Sequence, residues 1–194
     1  MSTLKKVLLV LAIGIGGFAV FVATRPDSYK VERTAKIEAP ADVVFAQLDN
    51  FKAWSEWSPW DKLDPNMKKT FEGPAQGVGA SYSWQGNDKV GKGKMTVTEV
   101  TPPTAIAYRL EFIEPFASVA QTRFSVKPEG DKAAAVTWAM EGKNNFIGKA
   151  FGVFMDMDKM IGKDFDKGLG SLKTIVEAEA AKRAATPPAQ AIAK

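Results

Sequence analysis

The sequence predicts an α+β fold: a seven-stranded curved antiparallel sheet closed by one long C-terminal helix, with a separate apolar helix ahead of it. Three observations carry this. Short stretches of alternating polar and apolar residues recur between residues 29 and 141, separated by turn residues. A stripe of apolar residues at helical spacing follows them. An uncharged run from Val7 to Ala23 stands near the N-terminus.

The first element is the uncharged run VLLVLAIGIGGFAVFVA, flanked by Lys5 and Lys6 before it and Arg25 after it. It is apolar on every side, which no helix on a protein surface is. Its length is at the lower limit for crossing a hydrocarbon core about 30 Å thick. The two preceding lysines put the N-terminus in the cytoplasm and the following domain on the far, periplasmic-type side. The alternative is a cleaved signal peptide and a secreted domain. Against it, Phe21 and Ala23 make a poor small-x-small cleavage site. The expected organisation is an anchor over 1–25, one domain over 26–183 and a loose Ala/Pro tail over 184–194.

After Arg25-Pro26-Asp27, alternation begins. Tyr29, Val31, Arg33, Ala35 and Ile37 share one face of a strand, and Lys30, Glu32, Thr34, Lys36 and Glu38 the other. Pro40 opens a short helix that ends near Asn50, and 51–54 form a further helical turn. Six more strands are expected at 68–72, 80–85, 93–100, 105–112, 119–126 and 133–141. The turns between them are short, which implies an antiparallel meander. Finally Met157, Ile161, Phe165, Gly168, Leu172, Ile175 and Val176 form one stripe of a helix spanning about 155–183. A sheet and a helix of this kind exist to cover each other's apolar faces.

Composition removes whole classes of chemistry. The 194 residues include no cysteine and no histidine. A Ser-His-Asp triad, a Cys-His pair and a thiolate or imidazole metal site are therefore impossible. Catalysis would have to run on carboxylates, Lys, Tyr or water. The net charge of +4 is concentrated at the N-terminus: Lys5, Lys6 and Arg25 precede any acidic residue. The remainder carries 23 basic against 22 acidic groups, and only five of the 26 basic residues are Arg. That balance argues against nucleic acid as a partner.

Local motifs resemble the SRPBCC superfamily, which contains START-like, polyketide cyclase/dehydrase-like and birch-allergen-like proteins. The match is clearest in Ile37-Glu38-Ala39-Pro40-Ala41-Asp42-Val43-Val44-Phe45, similar to the family's opening from first strand to first helix. Phe51-Lys52-Ala53-Trp54-Ser55-Glu56-Trp57-Ser58-Pro59 looks like the segment that follows. Gly77-Val78-Gly79, Gly91-Lys92-Gly93 and Thr137-Trp138-Ala139-Met140-Glu141-Gly142 also fit. The chain thus resembles a membrane-anchored bacterial-type member, over residues 29 to 182. The resemblance implies a helix-grip fold and a cavity for a hydrophobic small molecule or lipid. Because functions in the superfamily range from carriage to cyclisation, fold does not choose among them.

The candidate cavity lining follows from which aromatic residues share a strand face. Tyr82 and Trp84 do, as do Tyr108, Leu110 and Phe112, and Phe124, and Trp138 with Met140; Ile161 and Phe165 face them from the helix stripe. The same residues would equally fill a solid core. Arg33 alternates inward and needs a partner, either a ligand anion or an internal acid such as Glu99. Tyr82, Tyr108 and Glu99 are the candidates if the cavity is that of a cyclase, aromatase or hydrolase. A structural or interaction domain with a filled core is the third reading.

Other patterns have plainer accounts. Trp54, Trp57 and Trp60 plug one end of the sheet or gate a ligand. Gly86, Gly91 and Gly93 lack the Gly-Lys-Ser/Thr ending of a phosphate loop and serve turns. Asp156, Asp158, Asp164 and Asp166 do not have calcium-loop spacing and alternate with lysines on a solvated helix face. No cofactor or metal is called for.

Overall fold

A computed structural model describes residues 2–185. Helix α1, Thr3–Ala23, is followed by β1 (Ser28–Ile37), α2 (Ala41–Leu48), α3 (Trp54–Trp57), β2 (Lys68–Glu72), β3 (Ser81–Gln85), β4 (Lys92–Thr101), β5 (Ala105–Glu114), β6 (Ser118–Pro128), β7 (Ala134–Lys143), α4 (Phe146–Phe154) and α5 (Met157–Ala185). The strands form one antiparallel sheet in the order β1-β7-β6-β5-β4-β3-β2. Every strand lies within two residues of its predicted bounds.

Side-chain alternation explains which face is covered. Along β6, the inward Ala120, Thr122, Phe124 and Val126 are buried while their neighbours are exposed. Along β7, Ala134, Val136, Trp138 and Met140 are buried likewise. Helix α5 lies across this face along β1, placing Phe165, Leu169, Leu172 and Val176 against the sheet. Its close approach depends on Gly168, where a Cβ would sit 2.7 Å from the Trp138 ring.

The densest part of the core is aromatic. Trp138 stacks on Phe165 with centroids 4.1 Å apart and lies 4.7 Å from Phe124. Trp54 meets Trp57 and Tyr108 at 4.6 and 5.3 Å. The polar atoms of Trp138, Trp54 and Tyr108 are satisfied internally, whereas Trp57 Nε1 is buried without a hydrogen-bond partner among the described residues. Trp138 Nε1 donates to Thr122 Oγ1, and both Trp54 Nε1 and Tyr108 Oη donate to the Leu48 carbonyl. That carbonyl lies in the last turn of α2, where the helix itself offers it no donor.

Two features depart from the sequence reading. The single helix expected over 155–183 begins instead at Met157 and is preceded by a separate helix, α4. Met155 adopts an extended backbone between them. Each start has a side-chain cap: Asn145 accepts from the Gly148 amide at 2.8 Å, and Asp156 accepts from the Lys159 amide at 3.1 Å. The glycines in Phe146–Phe154 obscured a helix that its capping Asn145 signals. The Ala/Pro tail expected over 184–194 is helical at Ala184 and Ala185, and from 186 onward lies outside the described residues.

Candidate functional site

One end of the sheet does not close on the helix. Between β3, β4, β5, β7, the loop after α3 and the first turns of α5 lies a cavity of about 280 Å³. Trp60, Tyr82, Trp84, Leu110, Phe112 and Met140 supply most of its apolar wall, with Met67, Met95, Met160 and Ile161 around them. Along β6 and β7 the inward positions are Phe124, Val126, Val136 and Trp138 toward the filled end of the sheet, and Ala120, Thr122 and Met140 toward the other. Of these only Met140 borders the hollow.

The wall is rigid where it is aromatic. Trp84 donates from Nε1 to the Val90 carbonyl at 3.0 Å, fixing its ring across Gly93 on the neighbouring strand. A Cβ at Gly93 would collide with that indole. Phe112 meets Trp84 edge-on at 6.3 Å. The methionines around these rings are the adaptable part of the lining.

Polar groups on the wall are few. Asp61 pairs with Lys69 at 2.6 Å, the two side chains being 11% and 17% exposed. The second Asp61 oxygen, Oδ2, is buried without a hydrogen-bond partner among the described residues. Burial, and secondarily the Asp61 charge, push the Tyr82 phenol far above its usual range. Tyr82 therefore stays protonated and is a poor base. Asp164 at the rim pairs with Lys167 at 3.3 Å, while Lys89 is exposed beside the opening.

Of the twelve residues singled out from sequence, Tyr82, Trp84, Leu110, Phe112, Met140 and Ile161 border this cavity. Four of the others are elsewhere. Tyr108, Phe124, Trp138 and Phe165 are buried in the packed aromatic cluster and do not border the hollow. They share strand faces with cavity residues, but they lie nearer the filled end of the sheet. Burial also raises the Tyr108 phenol well above its usual range, and its hydroxyl is occupied by Leu48.

Arg33 and Glu99 are corrections of another kind. Simple alternation from Met95 and Val97 puts Glu99 inward. A register shift between Val97 and Glu99 reverses the alternation, so Glu99 is exposed and pairs with Arg123. Arg33 does point toward the helix, but its partners are Asp158, bidentate at 2.9 Å, and Asp166 at 3.5 Å. Gly162 makes room for the guanidinium, since a Cβ there would overlap it. Hydrogen bonding to Arg33 holds the Asp158 carboxyl below its usual range. Arg33 thus fastens α5 to β1 and is not aimed at the cavity.

Sequence reasoning missed Met67, Met95 and Asp61 as wall residues, and weighed Trp60 only as one of a cluster that plugs the sheet end or gates a ligand. The three tryptophans of the loop region divide: Trp54 and Trp57 are core, and Trp60 faces the cavity. What separates Trp60 from the other two in the sequence is that it follows Pro59, beyond the short helix.

No curated protein matches the sequence. Solved structures do match its fold. A protein from Chromobacterium violaceum is 16% identical with a TM-score of 0.55, covering 79% of this chain and 99% of its own. A solution structure from Thermobifida fusca is 18% identical with a TM-score of 0.59, covering 76% and 92%. A point mutant of norcoclaurine synthase from Thalictrum flavum, in complex with a transition-state analogue, is 13% identical with a TM-score of 0.54, covering 78% and 96%. At these identities the likeness is one of fold. The sequence itself matches, over residues 28–177, the family described as polyketide cyclase/dehydrase and lipid transport. The match takes in every strand and most of α5, so the chain belongs to that family.

Proposed function

We propose that this protein binds a hydrophobic small molecule or lipid non-covalently in the cavity while α1 holds the domain at a membrane. The observation that carries the reading is the apolar, largely aromatic wall around about 280 Å³ of space. A ligand there gains roughly 2.5 kcal/mol for each 100 Å² of apolar surface removed from water. The volume lies near the lower end for small-molecule sites, which suits a ring system or one segment of an acyl chain. The charge of Asp61 is offset by Lys69, so this polar point of the wall favours an uncharged head group over an anion.

Of the three titratable candidates, only Tyr82 borders the cavity, and it holds its proton. Helix α1 is long and apolar enough to cross a membrane or to act as a signal sequence. Lys5 and Lys6 at its start support a reading in which the domain lies outside the cytoplasm.

Native mass spectrometry of the full-length protein extracted from membranes tests the binding reading. Wild type should carry an apolar adduct that Leu110→Trp, which fills the space, excludes. A bare protein in both cases, with no uptake of a fluorescent fatty acid by wild type, would overturn it. A reporter fused after Lys194 tests orientation: activity in the cytoplasm would reverse the topology.

A further inference from the structure

Antiparallel pairing gathers several elements at one end of the sheet. Ser28 pairs with Lys143, Gly142 with Ala120, Phe112 with Ser118, Glu114 with Lys92, and Lys92 with Gln85. The end of α1, the start of β1, the β5–β6 turn, the β3–β4 turn and α4 therefore lie together. The cavity is at this same end, since Phe112 and Met140 border it.

This end is also where apolar side chains stand in the open. Helix α4 reads FIGKAFGVF and has no buried residue. Phe146, Ile147 and Phe154 are 54%, 53% and 78% exposed, and Phe116 in the β5–β6 turn is 61% exposed. Phe116 and Phe151 touch, at 6.0 Å, so turn and helix form one patch. The single charge of α4, Lys149, is turned toward the end of α1. It pairs with Asp27 and donates to the Ala23 carbonyl at 3.3 Å. Phe154 meets Phe18 at 6.0 Å.

We propose that α4 and the β5–β6 turn are a second membrane contact, seated in the bilayer interface beside α1 and bringing the cavity mouth against lipid. The inference rests on reading α1 as a membrane span. Contact with the last turns of α1 fixes α4 at the depth where the chain leaves the hydrocarbon. A short apolar helix none of whose residues is buried is marginal in water. Seated at the headgroup–acyl boundary, it gains the burial that the domain does not give it. A hydrophobic ligand then passes between bilayer and cavity past Met160 and Phe112 without crossing water.

The absence of native cysteine makes site-specific labelling direct. The full-length protein is placed in nanodiscs of phosphatidylcholine and phosphatidylglycerol. A fluorophore is attached through Phe116→Cys, Ile147→Cys, Ile13→Cys or Lys127→Cys, the last at the opposite end of β6. Quenching by nitroxide lipids is compared with quenching by an aqueous nickel chelate. At 116 and 147, lipid quenching should dominate, with roughly ten-fold weaker aqueous quenching than at 127, as expected for groups buried in the interface. If 116 and 147 are as water-accessible as 127 while 13 is lipid-quenched, docking is overturned and the tether stands. If 13 is water-accessible too, the tether fails with it. Shielding of 116 and 147 from both quenchers would overturn lipid contact in favour of a protein partner.

Discussion

The two ends of the interior are built on the same strands and differ in what those strands carry. Toward the α2 end, β5, β6 and β7 present Tyr108, Phe124 and Trp138, and α5 answers with Phe165, Leu169 and Leu172; all are buried and the space is filled. Toward the α1 end the same strands present Leu110, Ala120 and Met140, and α5 answers with Ile161; a hollow remains. The filled end packs the helix against the sheet, and at the open end the Arg33 pairs with Asp158 and Asp166 hold its first turns to β1.

That contrast is open to direct attack. The largest effect should come from Trp138→Ala, which removes the ring that Phe165, Phe124 and Trp57 all contact. Loss of a buried tryptophan costs about 3–5 kcal/mol, and urea denaturation should show it. A loss under about 1 kcal/mol, the range of volume-conserving changes, would mean that the filled end is looser than described.

Enlargement separates the ends more sharply. Leu172→Phe inserts volume where the native side chain is fully buried, and overpacking should cost about 1–3 kcal/mol. Leu110→Phe inserts the same volume beside the cavity and should cost less than about 1 kcal/mol, because the ring has space to enter. Equal penalties would deny the hollow.

Much of this was legible in the sequence. Alternation placed all seven strands, since register is fixed wherever one face is buried. The i, i+4 stripe placed Phe165, Leu172 and Val176 against the sheet. What alternation could not supply was position along the strand. Tyr108 and Leu110 share a face, yet one ends in the packed cluster and the other at the cavity. That depends on how closely α5 approaches at Gly168, a tertiary distance with no sequence period. Glu99 was lost to a bulge, which adds a residue to one strand and so inverts every inference beyond it. Asp61 was invisible because a loop residue has no face until the loop is folded.

An effect confined mostly to the alkaline range compares the two buried phenols. Tyr108 belongs to the filled end and Tyr82 to the cavity wall, and burial raises both above the ordinary value of 10.0. In the unfolded chain each phenol loses its proton as pH rises past 10.0, while in the folded protein each keeps it. The folded state then binds more protons than the unfolded state, so stability falls with rising pH above that point. Below it the two states bind equally at these sites and no dependence arises. Tyr82→Phe should make the decline between pH 10 and 11 shallower, by up to about 1.4 kcal/mol per pH unit. Tyr108→Phe should do the same and also lower stability at pH 7 by about 0.5–1.5 kcal/mol, because it removes the hydrogen bond to Leu48. Urea midpoints at pH 7, 10 and 11 separate the variants. An unchanged alkaline slope for Tyr82→Phe alone would mean that water enters the cavity end freely enough to ionise its wall, and the contrast between the two ends would then be one of hydration as well as packing.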